Sequence, residues 1–225
     1  MSGQEDYRSN VWKFLVTSLL CLLAQMAPAA DDEGASTSSP DKKWEYRLVE
    51  GQAAIVRAEN GGVVLKLSGE DESPAAGTLL WAPDSRRVAF NYRAGTRYYT
   101  CAVYELAGDK WKQLPDLETK AAKVVEMIAR AEQRQRKRQG ATKSAYRRRI
   151  NDTWDVRRWI DADTFEASAS SEATVVLKED SDDLGSLSTT VLFTVKCDNR
   201  GGWKITRLHE ASTAELEKLN KEDDG

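Results

Sequence analysis

A single histidine limits the nucleophilic chemistry open to this 225-residue chain. A serine or cysteine nucleophile needs a neighbouring base, most often histidine, and His209 is the sole candidate. It lies near the end of a strand-like run in which Ile205, Arg207 and His209 alternate along one face, so we interpret it as a surface residue. We therefore predict no catalytic residue. An enzyme whose site is not recognisable stays as an alternative, because carboxylate pairs for glycoside hydrolysis have no sequence signature.

Metal and cofactor binding find no support in the sequence. It contains no Cys-x-x-Cys pair, no histidine pair and no glycine-rich phosphate loop. The acidic runs at 161–164 (DADT) and 179–183 (EDSDD) could offer oxygen ligands to calcium, but both lack the spacing and the distal glutamate of a calcium-binding loop. We interpret them as solvated turns and expect neither a metal nor a cofactor.

The strongest charge feature is a basic run from Arg130 to Arg149, which carries nine positive charges. Such a cluster could neutralise the phosphates of a nucleic acid or bind an anionic polymer of the cell envelope. Only Tyr146 is available nearby to stack on bases, so nucleic acid is the less favoured partner. The alternative is a solvated helix end whose arginines pair with acidic turns. The candidate polyanion-binding residues are Arg134, Arg136, Lys137, Arg138, Arg147, Arg148 and Arg149.

Residues 1–30 have the composition of a signal peptide. Lys13 precedes the apolar run FLVTSLLCLLAQM, and the small residues APAA that follow suit a signal peptidase. This run is shorter than the roughly 20 residues that span a bilayer as a helix. We predict an exported protein, periplasmic or secreted, with no membrane span in the mature chain; an uncleaved signal anchor is the alternative. Residues 31–43, which are acidic and rich in small residues, are typical of a flexible linker.

Two cysteines remain once the leader, with its Cys21, is removed. In an oxidising compartment Cys101 and Cys197 have one possible connectivity, and a disulfide closing so long a loop stabilises a fold by about 4 to 5 kcal/mol in the chain-entropy model. Two separately buried thiols are the alternative, because the sequence does not show whether the two Cβ atoms approach each other.

Short strands with alternating polarity dominate the rest of the chain. Seven strand-like runs occupy residues 44–115, with Asn60-Gly61 as a strong turn signal. Residues 116–150 form a basic helix and loop, since Ala121, Val124, Val125, Ile128 and Ala131 make one apolar stripe at helical spacing. Residues 151–212 return to five strand-like runs, and residues 213–225 form a short helix and a charged tail.

The resulting fold class is mainly β. We expect antiparallel sheets, arranged as two blade-like or sandwich-like meanders, with one inserted basic amphipathic helix. The two meanders share a faint repeat, in which a tryptophan precedes an Asp-containing turn and a later strand opens with Trp-Lys. We expect these tryptophans to pack between the sheets; they are Trp81, Trp111, Trp159 and Trp203.

The segment WAPDSRRVAFNY, which begins at Trp81, resembles the blade motif of TolB-like β-propellers. Its fitting residues are Trp81, Pro83, Asp84, Val88, Ala89 and Phe90. Ala82 and Ser85 depart from the serine and glycine usual in that motif. The resemblance covers one blade and, more faintly, a second around Trp159, whereas a closed propeller needs about four blades or more. It implies sheet geometry with the aromatic residues between neighbouring sheets, and it implies no activity. The segment NYRAGTRYY is also similar to segments of exported bacterial proteins of unknown function.

A second resemblance concerns the carboxyl half. The segment DNRGGWKITRLHEAS looks like the final hairpin of nuclear transport factor-like cone folds, in which a Gly-Trp-Lys-Ile strand closes a curved sheet. That fold has amphipathic helices before its sheet, and only residues 117–138 qualify here. The resemblance implies a carboxyl half that binds a small ligand.

The function that these observations favour is non-catalytic. With 33 Lys and Arg against 36 Asp and Glu, the net charge of −3 indicates no particular partner. We expect an exported β domain that binds a protein or a component of the cell envelope through a sheet edge or an exposed strand surface. The alternatives are an enzyme with an unrecognised site, a small-ligand binder, and a polyanion binder that uses the basic cluster.

Overall fold

This computed structural model describes residues 37–67, 77–141, 147–177 and 184–223. The predicted signal peptide, residues 1–30, lies outside the described residues. Within these ranges the chain forms eleven strands and three helices. The strands are β1 (Trp44–Val49), β2 (Gln52–Arg57), β3 (Val63–Lys66), β4 (Gly77–Trp81), β5 (Arg87–Gly95), β6 (Tyr98–Ala107), β7 (Lys110–Gln113), β8 (Arg147–Trp159), β9 (Thr164–Val176), β10 (Leu184–Cys197) and β11 (Trp203–Glu210). The helices are α1 (Leu117–Lys120), α2 (Ala122–Arg138) and α3 (Thr213–Asp223).

The predicted mainly β fold is confirmed, and its strands form two sheets. Strands β1, β2 and β3 make a small antiparallel sheet in that order. The other sheet has eight strands in the order β11-β10-β9-β8-β6-β5-β4, with β7 paired to β6 beside this path. One pairing in it is parallel, that of Tyr98 and Tyr99 in β6 with Asp152 and Thr153 in β8. This short contact joins the two predicted meanders in one continuous sheet.

Residues just before Trp44, which the sequence assigns to a linker, are bonded to the rest of the fold. Ser39 is buried, its hydroxyl donates to Asp41 at 2.7 Å, and the backbone N–H of Trp44 donates to that hydroxyl at 3.0 Å. The backbone N–H of Asp41 in turn donates to the Ser85 hydroxyl in the turn after β4. Small polar residues therefore act here as turn formers within the fold, and the linker boundary at residue 43 is corrected.

Strands in the carboxyl half are longer than predicted. β8 starts at Arg147, within the predicted basic loop, and β9 is one strand where the sequence suggests two. The expected break falls at Ser171, which stays in the strand because its buried hydroxyl is bonded to Glu132 of α2 and to Asp152 of β8. Tertiary hydrogen bonds thus satisfy a polar residue in the middle of a strand, where local pattern predicts a turn.

The predicted helix over residues 117–138 is present but interrupted. Asp116 caps α1 by accepting a hydrogen bond from the Thr119 backbone at 2.9 Å, and Ala121, with φ −91° and ψ 48°, separates α1 from α2. α2 lies on β10, where Gln135 and Gln139 donate to the carbonyls of Ser188 and Ser186, each at 2.7 Å. No helix in the described ranges is long and apolar enough to cross a membrane.

The two larger of three hydrophobic clusters among the described residues hold the layers together. The first joins β5 and β6 to β8–β11 and α2, and includes Ala89, Trp154 and Phe165. The second lies between the small sheet and β4–β7, and there Trp111 contacts Trp44 and Trp81 edge to face at centroid distances of 5.7 and 5.9 Å. Such aromatic pairs contribute about 0.5 to 1.5 kcal/mol beyond the area they bury.

Three of the four predicted tryptophans occupy packed positions between layers. Trp81 and Trp111 belong to the second cluster, and Trp159 contacts Phe165 while its indole N–H donates to the Leu80 carbonyl at 3.0 Å. Trp203 differs. Like Trp81 and Trp159 it is half-buried and packs against a core cluster, but it also lines an open groove, because no other described strand pairs with β11 beyond β10.

Candidate functional site

A groove of about 830 Å³ lies between β11 and the start of the helical segment. We call it the β11 groove, and its lining residues are Pro115, Lys120, Ala121, Ala122, Lys123 and residues 202–208. Among the strands that the structure describes, β11 pairs with β10 alone and ends the eight-stranded order. An edge strand presents a row of backbone N–H and C=O groups that can pair with another chain.

A β-bulge sets the faces of β11. Val195 pairs with Ile205, but its neighbour Thr194 pairs with Arg207, so Thr206 is an extra residue in β11. Beyond the bulge Leu208 pairs with Phe193 of the core, while Arg207 lies on the opposite face. The prediction that Ile205, Arg207 and His209 share one face is therefore wrong, because the extra residue reverses the alternation.

The floor of the β11 groove is apolar. Trp203, Ile205 and Leu208 are half-buried and contact the first core cluster. The Trp203 indole N–H donates to the Pro115 carbonyl at 2.7 Å, which ties this end of β11 to the segment before α1. The floor is thus fixed by the core beneath it and by one polar contact at its end.

The rim of the β11 groove is cationic. Lys120 and Lys123 come from the helical side, whereas Lys204 and Arg207 come from the strand. All four side chains are exposed, and no carboxylate of the described residues pairs with any of them. A groove lined by charges of one sign attracts a ligand of the opposite sign.

His209 has a defined partner in the structure. Its Nε2 lies 2.9 Å from Oε1 of Glu215 in α3, and its side chain is 43% exposed. Glu215 also accepts from the backbone N–H and the hydroxyl of Ser212, at 2.9 and 2.7 Å, in the arrangement of a capping box. The Ser212 backbone N–H, followed by its hydroxyl and by His209, lowers the pKa of Glu215 to about 2. None of the hydrogen bonds formed by His209 with described residues involves a serine or cysteine nucleophile.

The possible disulfide between Cys101 and Cys197 is not formed, since both thiols are free and buried. Two strands, β9 and β8, lie between β10 with Cys197 and β6 with Cys101. Neighbouring strands lie about 4.8 Å apart, so this order separates two residues by more than a disulfide spans. Burial raises the pKa of both thiols, that of Cys197 to about 12. Neither cysteine is placed as a nucleophile.

The candidate polyanion-binding residues are divided among several surfaces. Arg134 pairs with Glu210, and Arg149 pairs with Asp152 at 2.6 Å while its guanidinium lies 5.4 Å from the ring centre of Tyr98. Arg136 also takes part in an interaction within the protein. Lys137, Arg138 and Arg148 are exposed. Arg147 belongs to β8, and its side chain lies outside the described part of the structure. Polyanion binding by this cluster stays a prediction.

Metal ligands do not gather in the described ranges, where no group of three or more His, Cys, Asp or Glu side chains is placed to hold an ion. No family model matches the chain, and no curated protein matches it in sequence. The resemblance to TolB-like blades therefore stays a prediction. The structure adds that β4–β7, which contain its residues, form an antiparallel meander of four strands.

Sequence reasoning missed the β11 groove. Two of its cations, Lys120 and Lys123, precede the basic run from Arg130 to Arg149, and Lys204 and Arg207 lie far from that run along the chain. The available signal was the segment WKITRL, in which apolar and basic residues alternate at the predicted end of the sheet. An edge strand of this composition presents unpaired backbone groups beside cationic side chains.

Proposed function

We propose that this chain is an exported, non-catalytic β domain that binds an extended, acidic segment of a protein partner along the edge of β11. The observation that carries the proposal is the edge strand itself, which borders an apolar groove whose four rim cations have no described carboxylate partner. The signal-peptide composition of residues 1–30 supports export.

Strand addition explains how such a partner is recognised. A segment that pairs with β11 gains main-chain hydrogen bonds, which any extended sequence can form. Its side chains alternate between two faces. On one face they meet the apolar floor formed by Trp203 and Ile205, and on the other they meet Lys204 and Arg207. The favoured partner therefore alternates apolar and acidic residues.

Competing functions have weaker support in the structure. A polyanion binder would present the basic cluster on one open surface, whereas Arg134 and Arg149 are paired with carboxylates of the protein itself. Nucleophilic catalysis would place a serine or cysteine beside His209, whose described partner is Glu215. The proposed protein partner would instead bind the edge of β11 and the four rim cations, which have no carboxylate partner among the described residues.

The direct test is a titration of the full chain with an alternating Val-Glu peptide, followed by backbone amide NMR. We expect chemical shift changes at the amides of residues 203–210 and Lys120–Lys123, and much smaller changes with an alternating Val-Lys peptide. An acidic peptide methylated on its backbone nitrogens should lose affinity, because it cannot donate to β11. Equal binding of the acidic and basic peptides, or shifts confined to the basic cluster, would refute the proposal.

Charge reversal at the two rim lysines of the helical segment tests whether the rim cations contribute to peptide binding. Lys120→Glu with Lys123→Glu should weaken binding of the acidic peptide by about tenfold, since each exposed pair contributes about 0.2 to 1 kcal/mol and reversal adds repulsion. The matched control is Lys137→Glu with Arg138→Glu at the other end of α2. It makes the same charge change about 20 Å away along the helix, and binding should not change. If the Lys137 and Arg138 variant lost more affinity for the acidic peptide than the Lys120 and Lys123 variant, the basic cluster would be the favoured binding site.

A further inference from the structure

A second, smaller concavity lies on the other face of the carboxyl-half sheet. It is a pocket of about 200 Å³ between α3 and the outward-facing side chains of β8–β11, which we call the α3 pocket. Thr194 pairs with Arg207 and Leu192 pairs with His209 on this face, whereas Phe193 and Val195 point to the core beneath α2. Lys218 and Leu219 of α3 close the pocket from above.

The roof of the α3 pocket is held in place by Glu215. This carboxylate caps α3 through Ser212 and also contacts His209 of the sheet, so one side chain fixes both the start of the helix and its position over β11. The pocket is therefore formed without a ligand, which lowers the cost of ordering it on binding.

The charges around the α3 pocket favour an anion. Its cationic side chains are Arg157, Arg158, Arg207 and Lys218. Two carboxylates line it among the described residues, and both have partners: Glu166 pairs with Arg158 at 2.6 Å, and Glu215 contacts Ser212 and His209. Arg207, which also lines the pocket, has no carboxylate partner in the described ranges. Its planar guanidinium matches the two oxygens of a carboxylate.

Size and polarity narrow the class of ligand. The volume of about 200 Å³ is below the roughly 300 to 1,000 Å³ that is typical of sites for drug-sized ligands. Leu192 and Leu219 supply apolar contacts, and Thr194 supplies a hydroxyl beside Arg207. A bare inorganic anion would leave the apolar contacts unused.

We propose that the α3 pocket binds a compact organic carboxylate, with the carboxylate on Arg207 and the apolar part against Leu192 and Leu219. The α3 pocket shares Arg207 with the β11 groove, but its other lining residues, among them Leu192, Thr194 and Leu219, do not line that groove. It would give the domain a small-molecule ligand in addition to its protein partner.

The test is an NMR titration of the full chain with benzoate, with benzyl alcohol as the neutral analogue and inorganic phosphate as an anion that lacks an apolar part. The proposal expects benzoate to shift the amides of Thr194, Arg207 and Leu219, and to bind at least tenfold more tightly than either comparison compound. Absence of benzoate shifts in the pocket would overturn the proposal. Equal affinity for benzyl alcohol or for phosphate would do so as well.

Variants separate this site from the β11 groove. Arg207→Gln should weaken benzoate binding by about tenfold, because hydrogen bonds to charged groups are the stronger class, and Arg207→Lys should weaken it less. Lys204→Gln is the matched control, since Lys204 belongs to the same strand and lines the β11 groove but not the α3 pocket. It should leave benzoate binding unchanged, as should Lys120→Glu with Lys123→Glu. If Lys204→Gln weakened benzoate binding, the ligand would lie in the β11 groove and the proposal for the α3 pocket would be refuted. This outcome does not depend on whether the acidic peptide binds.

Discussion

At the scale of single residues, Glu215 links local structure to the candidate sites. One of its oxygens caps α3 through Ser212, and the other lies 2.9 Å from His209 Nε2 at the end of β11. Because these hydrogen bonds favour the carboxylate, the pKa of Glu215 falls to about 2 from an ordinary value of 4.5. Protonation of this one group therefore weakens both the cap and the contact between α3 and the sheet.

The stability of α3 should depend on acid pH through Glu215. A carboxyl group whose pKa is lower in the folded state stabilises the fold above its unfolded pKa, here 4.5, and loses that effect as the pH falls toward about 2. Glu215→Gln should remove this part of the pH dependence. Urea unfolding across that pH window, followed by circular dichroism, measures it, with the exposed Glu217→Gln as the control. Parallel pH curves for wild type and Glu215→Gln would contradict the assignment.

Residue types alone indicated part of this arrangement. The spacing of Ser212 and Glu215 is a sequence signal for the start of a helix, and the predicted helix is confirmed as α3. The contact of Glu215 with His209 and the orientation of Arg207 could not be read, because both depend on the bulge at Thr206. A bulge adds one residue to one strand only, and its position is decided by the pairing partner, here β10.

At the scale of elements, the Asn91 side chain links β5 to β8, two strands that are not paired with each other in the sheet. The Asn91 amide N–H donates to the Val156 carbonyl at 2.8 Å, and the Val156 N–H donates to the Asn91 side-chain oxygen at 3.0 Å. Arg87, also on β5 and buried, donates to the Ala162 carbonyl at 2.9 Å and pairs with Glu105. These contacts extend the short β6–β8 pairing into a broader junction between the two halves.

Removal of the Asn91 side chain should weaken that junction. Asn91→Ala leaves both backbone groups of the buried Val156 without these partners, and such losses cost about 1 to 3 kcal/mol each when no water replaces them. We expect the free energy of unfolding to fall by about 2 kcal/mol. The exposed Arg93→Ala on the same strand is the control. Equal stability of Asn91→Ala and wild type in urea unfolding would show that the junction does not depend on this contact.

Most elements were predictable because their signals are local. Alternating polarity marked β1–β7, and helical spacing marked the segment from Leu117 to Arg138. The parallel pairing of β6 with β8 was not predictable, since it joins residues far apart in the chain and involves only two pairs, at Tyr98 and Tyr99. The continuity of β9 through Ser171 was missed for a similar reason, as its hydroxyl partners come from α2 and β8.

At the scale of the whole molecule, one core spans both halves of the chain. Ala89, Cys101 and Val103 of the first half share a cluster with Trp154 and Phe165 of the second. The described residues accordingly form a single compact unit. A core shared in this way predicts that the two halves unfold together.

The two buried thiols are natural probes of this cooperativity. Cys101 lies in the first half and Cys197 in the second, and both should resist alkylation in the native protein because they are buried and their pKa values are raised. Alkylation at increasing urea, read residue by residue by mass spectrometry, should give the same midpoint for both. A lower midpoint for one cysteine would show that its half unfolds separately. Failure of both to react after unfolding would instead indicate a disulfide.

The cations of the β11 groove have a further consequence for the protein on its own. An uncovered sheet edge invites another copy of the same chain to add to it, which is a common start of aggregation. Two copies that met through β11 would bring Lys204 and Arg207 of each chain together, and like charges repel at short range. The side chains that we propose to attract an acidic partner should therefore also keep identical molecules apart, and solubility at high concentration should fall when salt screens them.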